Sequence, residues 1–130
     1  MHRFLKIFTA AALSVTATAA LAAPQKLITH NTTSVESNAY VAGVVPSTHP
    51  TRAKSDGVVS WVEVRMACFG HDAGGKCSAL VKMETNTPHP VDLGWVTMDL
   101  STGEISPKVV KGNGYTLTVN NIGEVTLTKD

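Results

Sequence analysis

The chain has only two cysteines, Cys68 and Cys77, and the stretch that holds them, Val58 to Thr85, constrains the fold most. Apolar residues alternate before Cys68, at Val62, Val64 and Met66, and again after Cys77, at Ala79, Val81 and Met83. A period of two is the mark of a half-buried strand. If the two strands are antiparallel with the cysteines opposed, Met66 meets Ala79, Val64 meets Val81 and Val62 meets Met83. Glu63 then falls opposite Lys82 and Glu84 opposite Trp61, on the other face. A slip of one residue would turn every apolar side chain outward, so the register is a definite expectation. Opposed cysteines at a non-hydrogen-bonded pair lie close enough for a disulfide. The closed loop, Phe69 to Lys76, carries three glycines and would present His71 and Asp72 at its tip.

Residues 1–22 read as a secretory signal peptide. Arg3 and Lys6 form the positive start, Ile7 to Ala19 is apolar and small, and Ala20-Leu21-Ala22 is an A-x-A site with cleavage expected after Ala22. The remaining 108 residues (130 less 22) suit one exported domain, residues 23–130. They keep nine of the eleven Lys and Arg and all ten Asp and Glu, a net charge of about −1 with neutral histidines. That balance points away from nucleic acid and from anionic membrane surfaces, which call for basic patches. No segment after the signal is long and apolar enough to span a membrane. A disulfide fits an oxidising compartment, and the short signal with small residues and no cysteine at its cleavage point suggests bacterial export, to periplasm or medium.

The rest of the chain reads as a succession of short strands. Gln25–His30 and Ala39–Val45 are candidates, separated by a polar loop that contains the sequon Asn31-Thr32-Thr33. Pro46–Gly57 reads as a long loop with His49, Arg52 and Lys54, and Thr85–Gly94 as a proline-rich connection. Trp95–Leu100 alternates, and a turn at Leu100-Ser101-Thr102-Gly103 puts Met98 opposite Ile105. After a turn at Lys111–Gly114, the segments Tyr115–Val119 and Glu124–Thr128 form a hairpin around Asn121-Ile122-Gly123. In it Val119 meets Val125 and Leu117 meets Leu127. No helical period is evident outside the signal. The expected fold class is all-β: a small antiparallel β-sandwich or barrel of about seven or eight short strands, closed by Cys68–Cys77.

Chemistry-bearing patterns are sparse. There is no nucleophile elbow, phosphate-binding loop or dinucleotide fingerprint. His30, His49, His71 and His89 show no metal-ligand spacing, so no metal and no cofactor is expected. Glu63 and Glu84 fall on the polar face of the cysteine strands, where two carboxylates could serve a hydrolase. Trp61 and Trp95 fall on the face opposite the alternating core residues, and Trp61 shares its face with Arg65. The chain therefore reads as an exported binding module, not an enzyme, for a protein or glycan ligand. Candidate contacts are His71, Asp72 and Lys76 on the cysteine loop, and Trp61, Arg65 and Trp95. In size, signal and single disulfide it resembles small exported bacterial β proteins, among them inhibitors of lysozyme and of proteases, so an inhibitor of an envelope or host enzyme is one form of this reading. The alternatives are a cell-wall hydrolase and a structural subunit joined through an exposed edge strand.

Overall fold

A computed structural model describes residues 22–130. The signal peptide expected over residues 1–22 lies outside them but for Ala22. The described residues fold as a β-sandwich of ten strands and one helix: β1 (Lys26–Asn31), β2 (Ser37–Val41), β3 (Val45–Pro46), β4 (Ser55–Ser60), α1 (Trp61–Cys68), β5 (Lys76–Met83), β6 (Val91–Asp99), β7 (Ile105–Ser106), β8 (Val109–Gly112), β9 (Tyr115–Asn121) and β10 (Glu124–Lys129). One sheet has the order β4-β1-β10-β9-β8, the other β3-β2-β5-β6-β7. All pairs are antiparallel except β1 with β10. The inner faces meet in one core that includes Val81, Met83, Leu93, Ile105, Leu117 and Leu127.

The C-terminal half follows the expected registers. Met98 pairs with Ile105, Val119 with Val125 and Leu117 with Leu127. A bulge between Glu124 and Val125 and a left-handed Gly123 turn that hairpin. The turn after β6 is built on Asp99, whose carboxylate accepts from Ser101 N at 2.9 Å, Ser101 Oγ at 2.6 Å and Thr102 N at 3.2 Å. Those donors hold its pKa below the ordinary carboxylate value. β10 does not end as an edge, since β1 and β9 flank it.

Four expectations fail, each for a local reason. Trp61–Cys68 is a helix and not a strand, so the opposed register across the cysteines does not form. The actual neighbours of β5 are β2 and β6, and Lys82 pairs with Asp92 at 3.5 Å instead of Glu63. The run Ala39–Val45 breaks into a tight hairpin because Ala42 and Gly43 take left-handed conformations. Strand structure reaches further than the loop composition allowed: β4 begins at Ser55 and β6 at Val91. In β6 a bulge between the Val81 and Lys82 pairings lets Leu93 and Val96 both face the core while Trp95 faces out.

The long segment between β3 and β4 is ordered by one buried side chain. Asn31 donates from Nδ2 to the carbonyls of Val35 (2.8 Å), Arg52 (3.1 Å) and Thr51 (3.3 Å), and accepts from Thr33 N and Oγ1. A buried amide with this many partners is a structural pin. It also removes Asn31 from reach of glycosylation.

Across the outer face of the first sheet, His30 on β1 sits between two carboxylates. Its Nδ1 lies 2.8 Å from Asp56 Oδ1 on β4, and its Nε2 lies 2.6 Å from Glu124 Oε2 on β10. Only the doubly protonated ring can donate in both contacts at once. The hydrogen bond to Asp56, then that to Glu124, raises its pKa above the ordinary 6.5. A raised folded-state pKa stabilises fully below the unfolded value and is lost as pH rises through the folded one. Thermal unfolding of His30→Gln against the wild type from about pH 5 to pH 9 should therefore show the largest deficit at the acidic end, fading above the raised pKa. A deficit that grows with pH would contradict this.

Candidate functional site

The helix is set by its ends. Ser60 caps it, its Oγ accepting from Glu63 N at 3.2 Å, and Ser60-x-x-Glu63 has the spacing of a capping box. Val59 before the cap and Val64 one turn in line the same cavity, as in a hydrophobic staple. Glu63 in the first turn and Arg65 in the last complement the helix dipole. Gly70, left-handed at φ 82°, follows the C-cap Phe69. Eight residues are too few for a helix to persist alone in water. Its stability comes from one buried stripe, Trp61, Val64 and Cys68, at i, i+3 and i+7.

Trp61 is 4% exposed, and its indole N–H donates to Leu100 O at 2.9 Å. The expected exposed face of Trp61 with Arg65 is thus not formed: the turn of helix swings the indole into the core. Arg65 remains outside and donates from Nη2 to the same carbonyl at 3.2 Å. Leu100 N in turn donates to Gly75 O at 2.9 Å. One residue of the β6–β7 turn therefore ties down both the helix and the cysteine loop.

Cys68 and Cys77 form the expected disulfide, and both are buried. It joins the end of α1 to the start of β5, not two paired strands. The loop it closes is more ordered than its glycines suggested. Ala73 and Lys76 exchange both backbone hydrogen bonds, at 2.9 and 3.1 Å, around left-handed Gly74 and Gly75. The tip is therefore Gly74-Gly75. His71 and Asp72 are exposed on the limb before it, and Lys76 is exposed at its base.

The side of the helix away from the core carries Val62 and Met66, at i and i+4, and the C-cap Phe69 follows them, exposed by 67, 69 and 85%. This apolar stripe runs into the cysteine loop. The sequence reading missed it by assigning Val62 and Met66 to a strand core. Trp95 lies elsewhere, on the outer face of the second sheet, 50% exposed, in a cross-strand row with Leu80 and Tyr40. Lys82 Nζ stands 4.8 Å from the Tyr40 ring centre. The candidate residues thus divide between two surfaces: the helix corner with Arg65, His71, Asp72 and Lys76, and the sheet face with Trp95.

Beside the helix, edge strands β3 and β4 leave a cavity of about 390 Å³ between the sheets. At its mouth His49 Nε2 lies 2.6 Å from Glu63 Oε2, both side chains half exposed. The opposite side of the sandwich is shut. There β8 packs on β6, and Gly112 rests on the Leu93 carbonyl, where any Cβ would clash. Glu63 and Glu84 are not brought together. Glu84 follows the far end of β5, roughly 20 Å of strand from the disulfide, and accepts from the Tyr115 hydroxyl at 3.0 Å. Burial, then the bond to Glu84, raises the Tyr115 pKa. Among the described residues no group of three or more His, Cys, Asp or Glu could hold a metal ion.

A family model described as the type II secretion system substrate NttC matches residues 1–130. The chain belongs to this family. It is similar to the crystal structure of the Legionella pneumophila type II secretion system substrate NttC, with 54% identity and a TM-score of 0.82 over 83% of this chain and 100% of that one. No curated protein matches the chain. Membership of a family of secretion substrates makes the chain an exported protein, as the sequence reading expected.

Trp61 is the keystone of the corner, so its removal is informative. Trp61→Phe should lower unfolding free energy by about 1–3 kcal/mol, from a lost buried hydrogen bond and lost packing. Trp61→Ala should cost about 3–5 kcal/mol. Urea unfolding measures both, and a loss under about 0.5 kcal/mol in the alanine variant, within the range of an ordinary surface change, would contradict the role given to the indole.

Proposed function

We propose that the chain is a secreted binding protein, without catalytic activity, that holds a protein partner at the disulfide corner. The observation that carries this reading is the outward stripe of Val62, Met66 and Phe69 on a helix fixed at both ends. A contiguous apolar surface rimmed by polar residues is the usual mark of an interaction site. Its rim mixes signs, with Glu63 and Asp72 against Arg65 and Lys76, which suits a protein surface of matching pattern. The exported chain has no excess of basic residues to hold it at anionic lipid. An inhibitor of an envelope or host enzyme is one specific form, with the loop Gly70–Lys76 and Phe69 as the inserted edge.

Trp95 favours a second reading. With Tyr40 and Leu80 it makes a partly exposed apolar row on the second sheet, flanked by Ser78, Thr97 and Lys82, and an aromatic face beside hydrogen-bonding groups suits a sugar ring. The hydrolase alternative has less support, since Glu63 is engaged by His49 and Glu84 by Tyr115.

Affinity capture with the exported chain as bait, from envelope and culture-supernatant extracts, tests the proposal. One stoichiometric partner should be retained by the wild type and by Trp95→Ala, and lost by the double variant Met66→Asp, Phe69→Asp. Both changes are on exposed positions, so thermal stability should stay within about 0.5 kcal/mol of wild type. Retention of the partner by the double variant would place the docking surface elsewhere. Capture of a glycan that depends on Trp95 would favour the second reading.

A further inference from the structure

We propose that the cavity between β3 and β4 binds the single aliphatic chain of an amphiphile, with the tail inside and the head group at His49 and Glu63. The cavity borders the helix stripe, sharing Met66 at its rim, but the proposal does not depend on a protein partner.

Its volume, about 390 Å³, is in the range of ligand sites and more than twice the roughly 150 Å³ apolar cavity that takes one benzene. The interior is aliphatic and sulfur-bearing: Ala39, Val41, Val64, Ala79 and Met98, with Cys68 of the disulfide. No Phe, Tyr or Trp lines it, so it offers no ring for stacking a flat ligand. Methyl and thioether surfaces adapt to a flexible chain.

The polar groups of the lining are confined to one end. Ser47, Thr48 and His49 come from the segment after β3 and Glu63 from the helix, and the His49–Glu63 pair is half exposed. Among the described residues every buried side-chain nitrogen or oxygen already has a partner. A polar ligand pushed inward would lose its hydrogen bonds to water and gain none. An uncharged tail loses nothing, and a head left at the half-exposed mouth keeps its water.

A smaller cavity of about 90 Å³ shares Leu27, Ala39, Ser47, His49 and Val59 with the first, so the two adjoin at the polar mouth as well as along the aliphatic wall.

The test is methyl NMR of the exported chain titrated with sodium octanoate, decanoate and dodecanoate, each below its micelle concentration. The methyls of Val41, Ala79 and Met98 should shift, and affinity should tighten by roughly fourfold per added methylene until the cavity is full. Ala39→Leu narrows the interior, and Ala67→Phe, on an exposed helix position at the mouth, obstructs entry without touching the core. Each should weaken dodecanoate binding at least about tenfold, while Phe69→Ala leaves it unchanged. A parallel titration with phosphatidylcholine vesicles identifies the source. Shifts of the same methyls by vesicles assign the chain to membrane lipid, shifts by the free acids alone assign it to a soluble amphiphile, and either supports the site. No shift at these methyls with any probe, affinity independent of chain length, or wild-type binding by both Ala39→Leu and Ala67→Phe would overturn it.

Discussion

The bond between Cys68 and Cys77 is the constraint on which the functional corner depends. An eight-residue helix that turns Val62 and Met66 to water has little reason to persist on its own. Its C-terminal end is held because Cys68 is covalently tied to Cys77 at the start of β5, the strand at the centre of the second sheet. Closing so short a loop contributes about 2.5–3 kcal/mol in the chain-entropy picture. The other end is held by the Ser60 cap and the Trp61 indole. Leu100 then couples both to the cysteine loop through three hydrogen bonds.

The same asymmetry explains the cavity. On one side the sheets close tightly, with β8 against β6 and Gly112 admitting the Leu93 carbonyl. On the other, β3 is only two residues long and β4 leads straight into the helix. The helix covers one end of the gap and leaves the cavity beside it. An apolar cavity and an apolar stripe thus arise at one place from one device.

How much of this was legible depends on the segment. The hairpins from Trp95 onward were readable because alternation, turn glycines and β-branched residues all agree there. The disulfide was readable because an exported chain has only two cysteines to pair. The helix was not, because WVEVRMAC satisfies two periods: Val62, Val64, Met66 and Cys68 alternate, yet Trp61, Val64 and Cys68 recur at helical spacing. The deciding signal was Ser60-x-x-Glu63 at the start and Gly70 at the end, local capping chemistry that alternation alone does not weigh. Misplacing the helix put Trp61 outside and hid Phe69. Trp95 stayed legible because its strand was real. The pin at Asn31 and the His49–Glu63 mouth depend on contacts between segments distant in sequence, which no local pattern encodes.

Amide hydrogen exchange on the oxidised and the reduced, alkylated protein tests the central claim most directly. If the disulfide holds the corner, reduction should release protection in Val64–Cys68 and in Ala73–Lys76 while β9 and β10 keep theirs. Equal protection of α1 in the two forms would mean that the cap and Trp61 suffice. The account of a covalently presented stripe would then be wrong.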